Sequence, residues 1–479
     1  MRIETVTSSA LFSSQQCRLD PKYLTFANVA KWKVFDSSLP TIQLGEIIRP
    51  VQIKKIAKGE LDNEFLLINI SDQNSGDGIL YLKNVKAVNN IGSDKVDLSD
   101  CDIIISKLGM SRGYIFPCPK TTQGIIGSSE FIPYQVKNYN HLPYYIYLLL
   151  NKAMLKAYSR LETGKTPSHK RVNPSELLKI EIPYLDDNTI ENIVKTINIS
   201  IKGINELWDT IKPTQSIIDE VFAREFGFDY AKFEELKTHT CFSTGFSAFA
   251  NNPDLRFSSK FHRDAGAFVM EQLTSVTSKK IKHYLSDPIV LGASVSPNDY
   301  SDDGDFYYIS MATIKSWAFD PDGANQLKPT YAKNKTDKSV CKDDILLARS
   351  GEGTIGKVAL IDNDDVKGIF ADFTMRIRLT NYNQRFAYYY FRTAYFQYIV
   401  EVYKKGLGNN TNIFPIVIRE FPMPDLSLDE QQRIVNEVQN EIDKQNSIKE
   451  KITELRGKID IVIENALTQS TNNRGNEND

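Results

Sequence analysis

Apolar residues recur in alternating steps of three and four from about Asp187, at Ile190, Ile193, Ile197, Ile201, Ile204, Trp208 and Ile211. That spacing holds them on one stripe of a helix with 3.6 residues per turn and predicts a seam for another helix. The pattern returns from about Asp429 to Leu467. Shifted by 241 positions, Ile193 and Val194 fall on Ile434 and Val435, Ile197 on Val438, Ile201 on Ile442, Leu207 on Ile448, Ile211 on Ile452 and Ile218 on Ile459, and Asp219 falls on Asp460. Asp186, Asp187 or Asn188 is suited to cap the first helix, and Pro213 must kink it or start a second piece.

The repeat extends beyond the helices. With an offset of 242, DIIISKLG at 102–109 lies over DILLARSG at 344–351, Phe131 over Phe373, Tyr147 over Tyr389 and Gly164 over Gly406, and Pro183 falls on Pro424 after a one-residue deletion. Landmarks held in step over such a distance predict two copies of one unit, each a globular domain followed by a helix.

Within each copy, short apolar runs such as FLLINI (65–70) and CDIIIS (101–106) alternate with turn signals, and a helical stretch from His141 to about Leu161 follows them. This mixture predicts an α/β (α+β) domain rather than a bundle. The tyrosines Tyr144, Tyr145, Tyr147 and Tyr158, like those of the second copy's FAYYYFRTAYFQYIVEVY, suit a core at helical spacing better than base stacking. Two loops follow these helices at matching places. ETGKTPSHKRVNPSE (162–176) gathers Lys165, His169, Lys170 and Arg171, suited to phosphate and base contacts or else a solvated loop. Its counterpart KKGLGNNTNIFP (404–415) offers Lys404 and Lys405 for phosphates and Asn409, Asn410 and Asn412 for an adenine edge. Gly351, Gly353 and Gly356 spell G-x-G-x-x-G, but KVALI continues as a strand where a dinucleotide site needs a helix start, so a glycine-rich hairpin is expected. Residues 227–255 read as a looser connection.

Length suits two domains and two long helices. No apolar run approaches a bilayer span and MRIETVTSS lacks a signal peptide's apolar core, so no membrane association and a cytoplasmic location are expected. Five cysteines far apart suggest neither a zinc site nor disulfides. The net charge of −2 divides unevenly, the two helical segments carrying −7 and the remainder +5. Acidic helices repel phosphates, so contact with DNA would fall to the globular domains. No motif for a catalytic serine, a metalloprotease, a P-loop or an amino-methyltransferase occurs, and the nearest string, Asn173-Pro174-Ser175-Glu176, lacks the aromatic residue the last requires.

The tandem arrangement, DILLARSGEGTIGKVALI as a strand pair about a glycine turn, and the junctions PYLDDNTIENIV and MPDLSLDEQQRIV resemble the specificity subunit of type I restriction-modification systems. The first copy departs from that pattern, with Asn192 opposite Arg433, no glutamine pair and no GTIG. The resemblance implies a non-catalytic subunit in which two target-recognition domains, separated by two long helices in an antiparallel coiled coil, each read half of a split DNA site. The division expected is a first recognition domain at 1–185, helix and connection at 186–237, a second domain at 238–425, a helix at 426–467 and a disordered tail at 468–479. It implies double-stranded DNA, two modification (methyltransferase) subunits and restriction translocase subunits as partners. S-adenosylmethionine, ATP and magnesium would belong to those partners. Readers or phosphate contacts are expected at Lys107, Arg112, Lys165, Thr166, Ser168, His169, Lys170 and Arg171, and at Arg349, Glu352, Thr354, Lys357, Lys404, Asn409, Asn410, Thr411 and Asn412. The helices would pack Ile193, Ile197, Ile201 and Ile204 against Val438, Ile442, Ile448 and Ile452. A stand-alone methyltransferase or nuclease with a degenerate site, or a protein-binding repeat adaptor, are the alternatives.

Overall fold

The computed structural model describes residues 18–81, 85–164, 166, 169–239, 241–250, 256–406 and 410–468, so the tail from 469 onward lies outside the described residues. The chain forms two compact units, Met1–Thr210 with Ile448–Asp479, and Ile211–Ser447. They are not linear pieces. The last helix gives its first half to one and its second half to the other.

Each unit is built on a four-stranded antiparallel sheet of the same order. In the first unit the strands are β1 (Ile48–Pro50), β2 (Ile103–Ser106), β3 (Ile115–Pro117) and β4 (Phe131–Val136), arranged β1-β4-β2-β3. In the second, β5 (Val290–Leu291), β6 (Ile345–Ala348), β7 (Val358–Leu360) and β8 (Thr374–Ile377) are arranged β5-β8-β6-β7. The apolar runs are therefore central strands: Ile103, Ile104 and Ile105, like Ile345, Leu346 and Leu347, are buried. A second sheet with one parallel strand pair accompanies each, Leu66 beside Ile125 in the first unit and Tyr307 beside Gly368 in the second. The run from Gly351 to Gly356 is a turn between antiparallel β6 and β7, all three glycines having positive φ, which agrees with a hairpin and not a nucleotide loop.

The register corrects one landmark of the repeat. Phe131 pairs with Ser106, but Thr374, not Phe373, pairs with Ala348, the counterpart of Ser106. Backbone bonds agree: Lys107 N donates to Glu130 O at 3.0 Å, and Arg349 N to Phe373 O at 2.9 Å. Phe373 thus corresponds to Glu130.

The expected single helix at 141–161 is two, α1 (Leu142–Leu150) and α2 (Lys152–Leu161), because Asn151 leaves the helical conformation and caps α2 by accepting from Ala153 N. Its four tyrosines are buried, as a core role requires. Asp186 caps α3 (Asp187–Trp208) through Thr189 N, and Pro213 starts α4 (Thr214–Phe226). The connection after 226 is less loose than expected: α5 (Tyr230–Thr238) packs on α6 (Asp264–Val276) and buries Phe233. The second copy's helix pair is α7 (Gln384–Arg392) and α8 (Ala394–Tyr403), followed by α9 (Leu428–Thr468).

The expected seam residues are divided between the units. Ile193, Ile197, Ile201 and Ile204 fall in the first unit with Ile448 and Ile452, while Val438 and Ile442 join Ile218, Val221 and Phe222 in the second unit's core. Direction causes the division. In the second unit α4 and the first half of α9 run antiparallel, Lys212 N donating to Gln445 and Glu225 pairing with Arg433, while in the first a Cβ on Gly203 would meet Leu455. Fully buried Phe222, 5.3 Å from the Phe386 ring, anchors the second unit's seam, where truncation to alanine costs about 3–5 kcal/mol. Among the described residues no helix is long and apolar enough to cross a membrane.

Candidate nucleic-acid interface

Each unit presents the loop after its helix pair on the end of its central strand through the same backbone lattice. In the first, Arg171 bridges to Thr163 and Leu108, and Val172 N donates to Lys107 O at 3.0 Å. In the second, Asn412 bridges to Lys405 and Ser350, and Ile413 N donates to Arg349 O at 2.9 Å. The loops turn so tightly that a Cβ on Gly164 would lie 2.5 Å from His169 O, and one on Gly406 2.3 Å from Asn410 O. Those two glycines are required by the turn itself.

On this shared lattice three side chains meet, and they differ between the copies. The first brings together Lys107, Glu130 and Arg171: Arg171 Nε and Nη2 donate to the two Glu130 oxygens at 3.0 and 2.9 Å, and Lys107 Nζ lies 3.9 Å from the same carboxylate. The Arg171 bonds, against a smaller opposing effect of burial and with help from Lys107, hold the Glu130 carboxyl below its usual range. The second copy has Arg349, Phe373 and Asn412 at these positions. Arg349 Nη2 donates to Asn412 Oδ1 at 3.1 Å, and its guanidinium lies 5.9 Å from the Phe373 ring and 5.7 Å from Phe414. Both rings are large apolar groups on the surface, 46% and 40% exposed. Each triad carries one net positive charge, but one presents an ion-paired network and the other an arginine fork flanked by aromatic rings.

Among the other expected residues, Arg112 and Lys170 are exposed, and Thr166 Oγ1 lies 2.7 Å from His169 Nδ1. Lys165, Ser168 and Asn409 lie outside the described residues. Lys404 does not offer a free cation for phosphate: it is buried, with Nζ 2.7 Å from Glu401 and 3.3 Å from Glu352. Burial opposes its charge, but the two carboxylates outweigh it and raise its pKa. Glu352 is correspondingly engaged. Thr411 is buried and accepts from Ser350 Oγ through its carbonyl, and Thr354 Oγ1 closes the glycine turn on Ser350 O at 2.9 Å. The Asn412 amide uses one acceptor position on Arg349 and one donor on Asn410 O at 3.2 Å, so it orients Arg349 and keeps one donor and one acceptor position beyond these bonds. Lys357 lies 3.8 Å from the centre of the Trp317 ring, which Arg392 also approaches.

Glu130, Phe373 and Phe414 escape a reading by residue type, since an acid and two phenylalanines do not announce DNA contact. Arg18 and Arg256 were also missed, though R-x-x-x-K-[YF] at 18–23 and 256–261 is a legible repeat. Arg18 donates to the carbonyls of Arg160, Leu161 and Glu162 where α2 ends, and Arg256 to Lys404 O where α8 ends, so each ties down the start of a loop.

Residues 289–455 match the family model described as the type I restriction modification DNA specificity domain. The second half of the chain carries a domain of that family. No curated protein matches the chain. Among solved structures it is similar, at 13% identity over 91% of its length, to a chain from a structural study of complex assembly and conformational transition of the type I R-M system (100% of that chain, TM-score 0.45). At the same identity and coverage it is similar to the type I S subunit from M. genitalium (98%, TM-score 0.42) and the HsdS subunit from Thermoanaerobacter tengcongensis (98%, TM-score 0.33). The specificity domain so identified contains Arg349, Phe373, Asn412 and Phe414.

Proposed function

We propose that the chain is the DNA-recognising specificity subunit of a type I restriction-modification complex, each copy reading one half of a split target. The observation that carries this is the pairing of one backbone lattice with two different side-chain triads, one of them inside the matched specificity domain. A scaffold used twice with altered presenting groups suits two readers of different sequences. The globular parts carry the positive balance, which favours phosphates, while the acidic helices are left to set the spacer and dock two modification subunits. The seam at Ile193, Ile197, Ile201 and Ile204 and its counterparts on α9 belong to that role. The chain itself is non-catalytic and works in the cytoplasm, S-adenosylmethionine, ATP and magnesium belonging to modification and restriction subunits.

The test is methylation mapping in cells expressing this chain with its modification subunits. A bipartite methylated sequence is expected, and exchanging residues 404–414 for those of a relative with another target should change one half only. Methyl transfer or cleavage by the purified chain alone would overturn the non-catalytic reading.

A further inference from the structure

Around the end of the central strand, three surface positions are polar in the first copy and apolar in the second. Glu130 stands where the second copy has Phe373, Asn173 where it has Phe414, and Ser175 where it has Ile416, the last two pairs at the starts of the short helices Pro174–Leu177 and Pro415–Ile418. Phe373, Phe414 and Ile416 are 46%, 40% and 70% exposed. The exchange at Phe414 also weakens the local structure. Asn173 caps its helix by accepting from Ser175 N at 3.1 Å and takes a second bond from Ser175 Oγ at 2.9 Å, whereas Phe414 supplies no side-chain cap. A residue that gives up a cap and places a ring in solvent breaks a local rule, and such places are expected where function is carried.

These apolar groups are continuous with the second strand-end triad, the two rings lying 5.9 and 5.7 Å from the Arg349 guanidinium. The fork of Arg349 matches guanine in the major groove, and the triad's net positive charge favours a polyanion over the apolar face of another protein. Successive base pairs are about 3.4 Å apart, so rings at that distance from the fork stand over base pairs one or two steps from the guanine. Every group that a base pair shows in the major groove is a donor or an acceptor, except the C5-methyl of thymine. A phenyl edge over any other base would strip water from such a group and return no hydrogen bond, whereas over thymine it buries apolar surface on both sides.

We infer that Phe373 and Phe414, with Ile416 two residues on, read thymine methyl groups in the major groove. The second half-site therefore has A·T base pairs one or two steps from the guanine held by Arg349. The inference rests on the DNA reading above and names the bases which that reading leaves open. With Glu130, Asn173 and Ser175 at the same places, the first copy has no apolar group there for a methyl.

The test uses the complex with modification subunits and a duplex carrying its mapped target. Each thymine of the second half-site is replaced in turn by uracil, which keeps the pairing and the phosphates and removes only the methyl. Binding should weaken about fourfold at one or two of those positions, as the loss of one buried methyl implies. Phe414→Asn, which restores the first copy's cap, and Phe373→Ala should each make thymine and uracil equivalent at one such position while guanine stays preferred at its own. Equal binding of thymine and uracil throughout overturns the inference, and so does a second half-site with no A·T pair within two steps of a guanine. Ring variants that weaken both duplexes equally and reduce DNA bending would mark a wedge between base pairs, and variants that only release modification subunits would mark a protein contact. Either result also overturns it. In all these cases a bipartite methylated target leaves the DNA reading standing, whereas the absence of any methylated target ends both.

Discussion

Arg349 is the side chain on which the proposed division between base reading and phosphate gripping can be tested most directly. Asn412 fixes one terminal nitrogen of its guanidinium at 3.1 Å, Phe373 and Phe414 flank it, and its Nε is buried without a partner. The terminal nitrogens therefore carry the donors available to DNA, in a fork that matches the O6 and N7 acceptors of guanine. A lost bidentate contact is worth about 1–3 kcal/mol, roughly 5- to 150-fold in discrimination at 1.4 kcal/mol per tenfold. Arg349→Ala removes fork and charge, whereas Arg349→Lys keeps the charge and loses the fork.

If Arg349 reads a base, both variants in the complex with modification subunits should relax methylation at one position of one half-site, lysine nearly as much as alanine. If it only grips phosphate, Arg349→Lys should be close to wild type, and Arg349→Ala should weaken all sequences alike while lowering the salt slope by about one. Asn412→Ala frees the fork without removing it and should relax the same position less than Arg349→Ala. Methylation sequencing, with binding titrated at several salt concentrations, reads all three. Uniform weakening at both half-sites with full rescue by lysine would refute base reading.

Arg456 reaches Asp77 at 2.8 Å, and that carboxylate is 2% exposed. Arg456→Ala strands it and should cost about 2–3 kcal/mol in urea unfolding once Arg456's own exposure is discounted, with Asp77→Asn plus Arg456→Met recovering most of it. Burial raises the Asp77 pKa while Arg456 lowers it, so without Arg456 the folded pKa rises further above the ordinary 3.8; stability then falls as pH rises from 3.8 through the raised folded pKa, and the deficit should be larger on the neutral side of that window than on the acid side. Glu420 is held at about 2 by Lys282 and Lys280, so its contribution is present above its ordinary 4.5 and lost as pH falls toward 2. Glu420→Gln should flatten that part of the acid limb of the urea midpoint and leave its shape above pH 6 unchanged. Inserting about one helical turn, 5.4 Å, into α9 near Ser447 should lengthen the methylated spacer by one to two base pairs with both half-sequences intact, and an unaltered spacer would refute the ruler.

What could be read from the sequence follows the range of the forces involved. Helical periodicity, the stop at Pro213 and the cap at Asp186 are local, and they appear in the structure as expected. The hairpin at Gly351–Gly356 was legible because strand-like KVALI continues past the glycines. The break at Asn151 was not, since the apolar pattern runs through it and only the cap geometry ends α1. At the candidate interface the sequence located both loops but not the groups their side chains meet. Glu130 and Phe373 come from a neighbouring strand, and a one-residue change of register, invisible while Phe131 and Phe373 matched as letters, decides which residue stands beside the central strand end.

The swapped use of α9 explains why the seam repeats so faithfully while the loops do not. By the internal repeat, the first part of α9 copies α3 and its last part copies α4. The first unit combines α3 with the α4-like part of α9, and the second combines α4 with the α3-like part. Asp219 and Asp460 show the consequence at one position. Asp219 accepts from Ala394 N at the start of α8 and so steadies the second helix of its domain's pair, and Asp460 lies where the charge of Lys152, at the start of α2, favours its carboxylate. A change in the seam therefore meets side chains from the other copy, and must suit them. A change at Lys107, Glu130 or Arg171, or at Arg349, Phe373 or Asn412, meets only its own unit's loop and strand ends, and that separation lets the presenting groups diverge on a backbone that stays fixed.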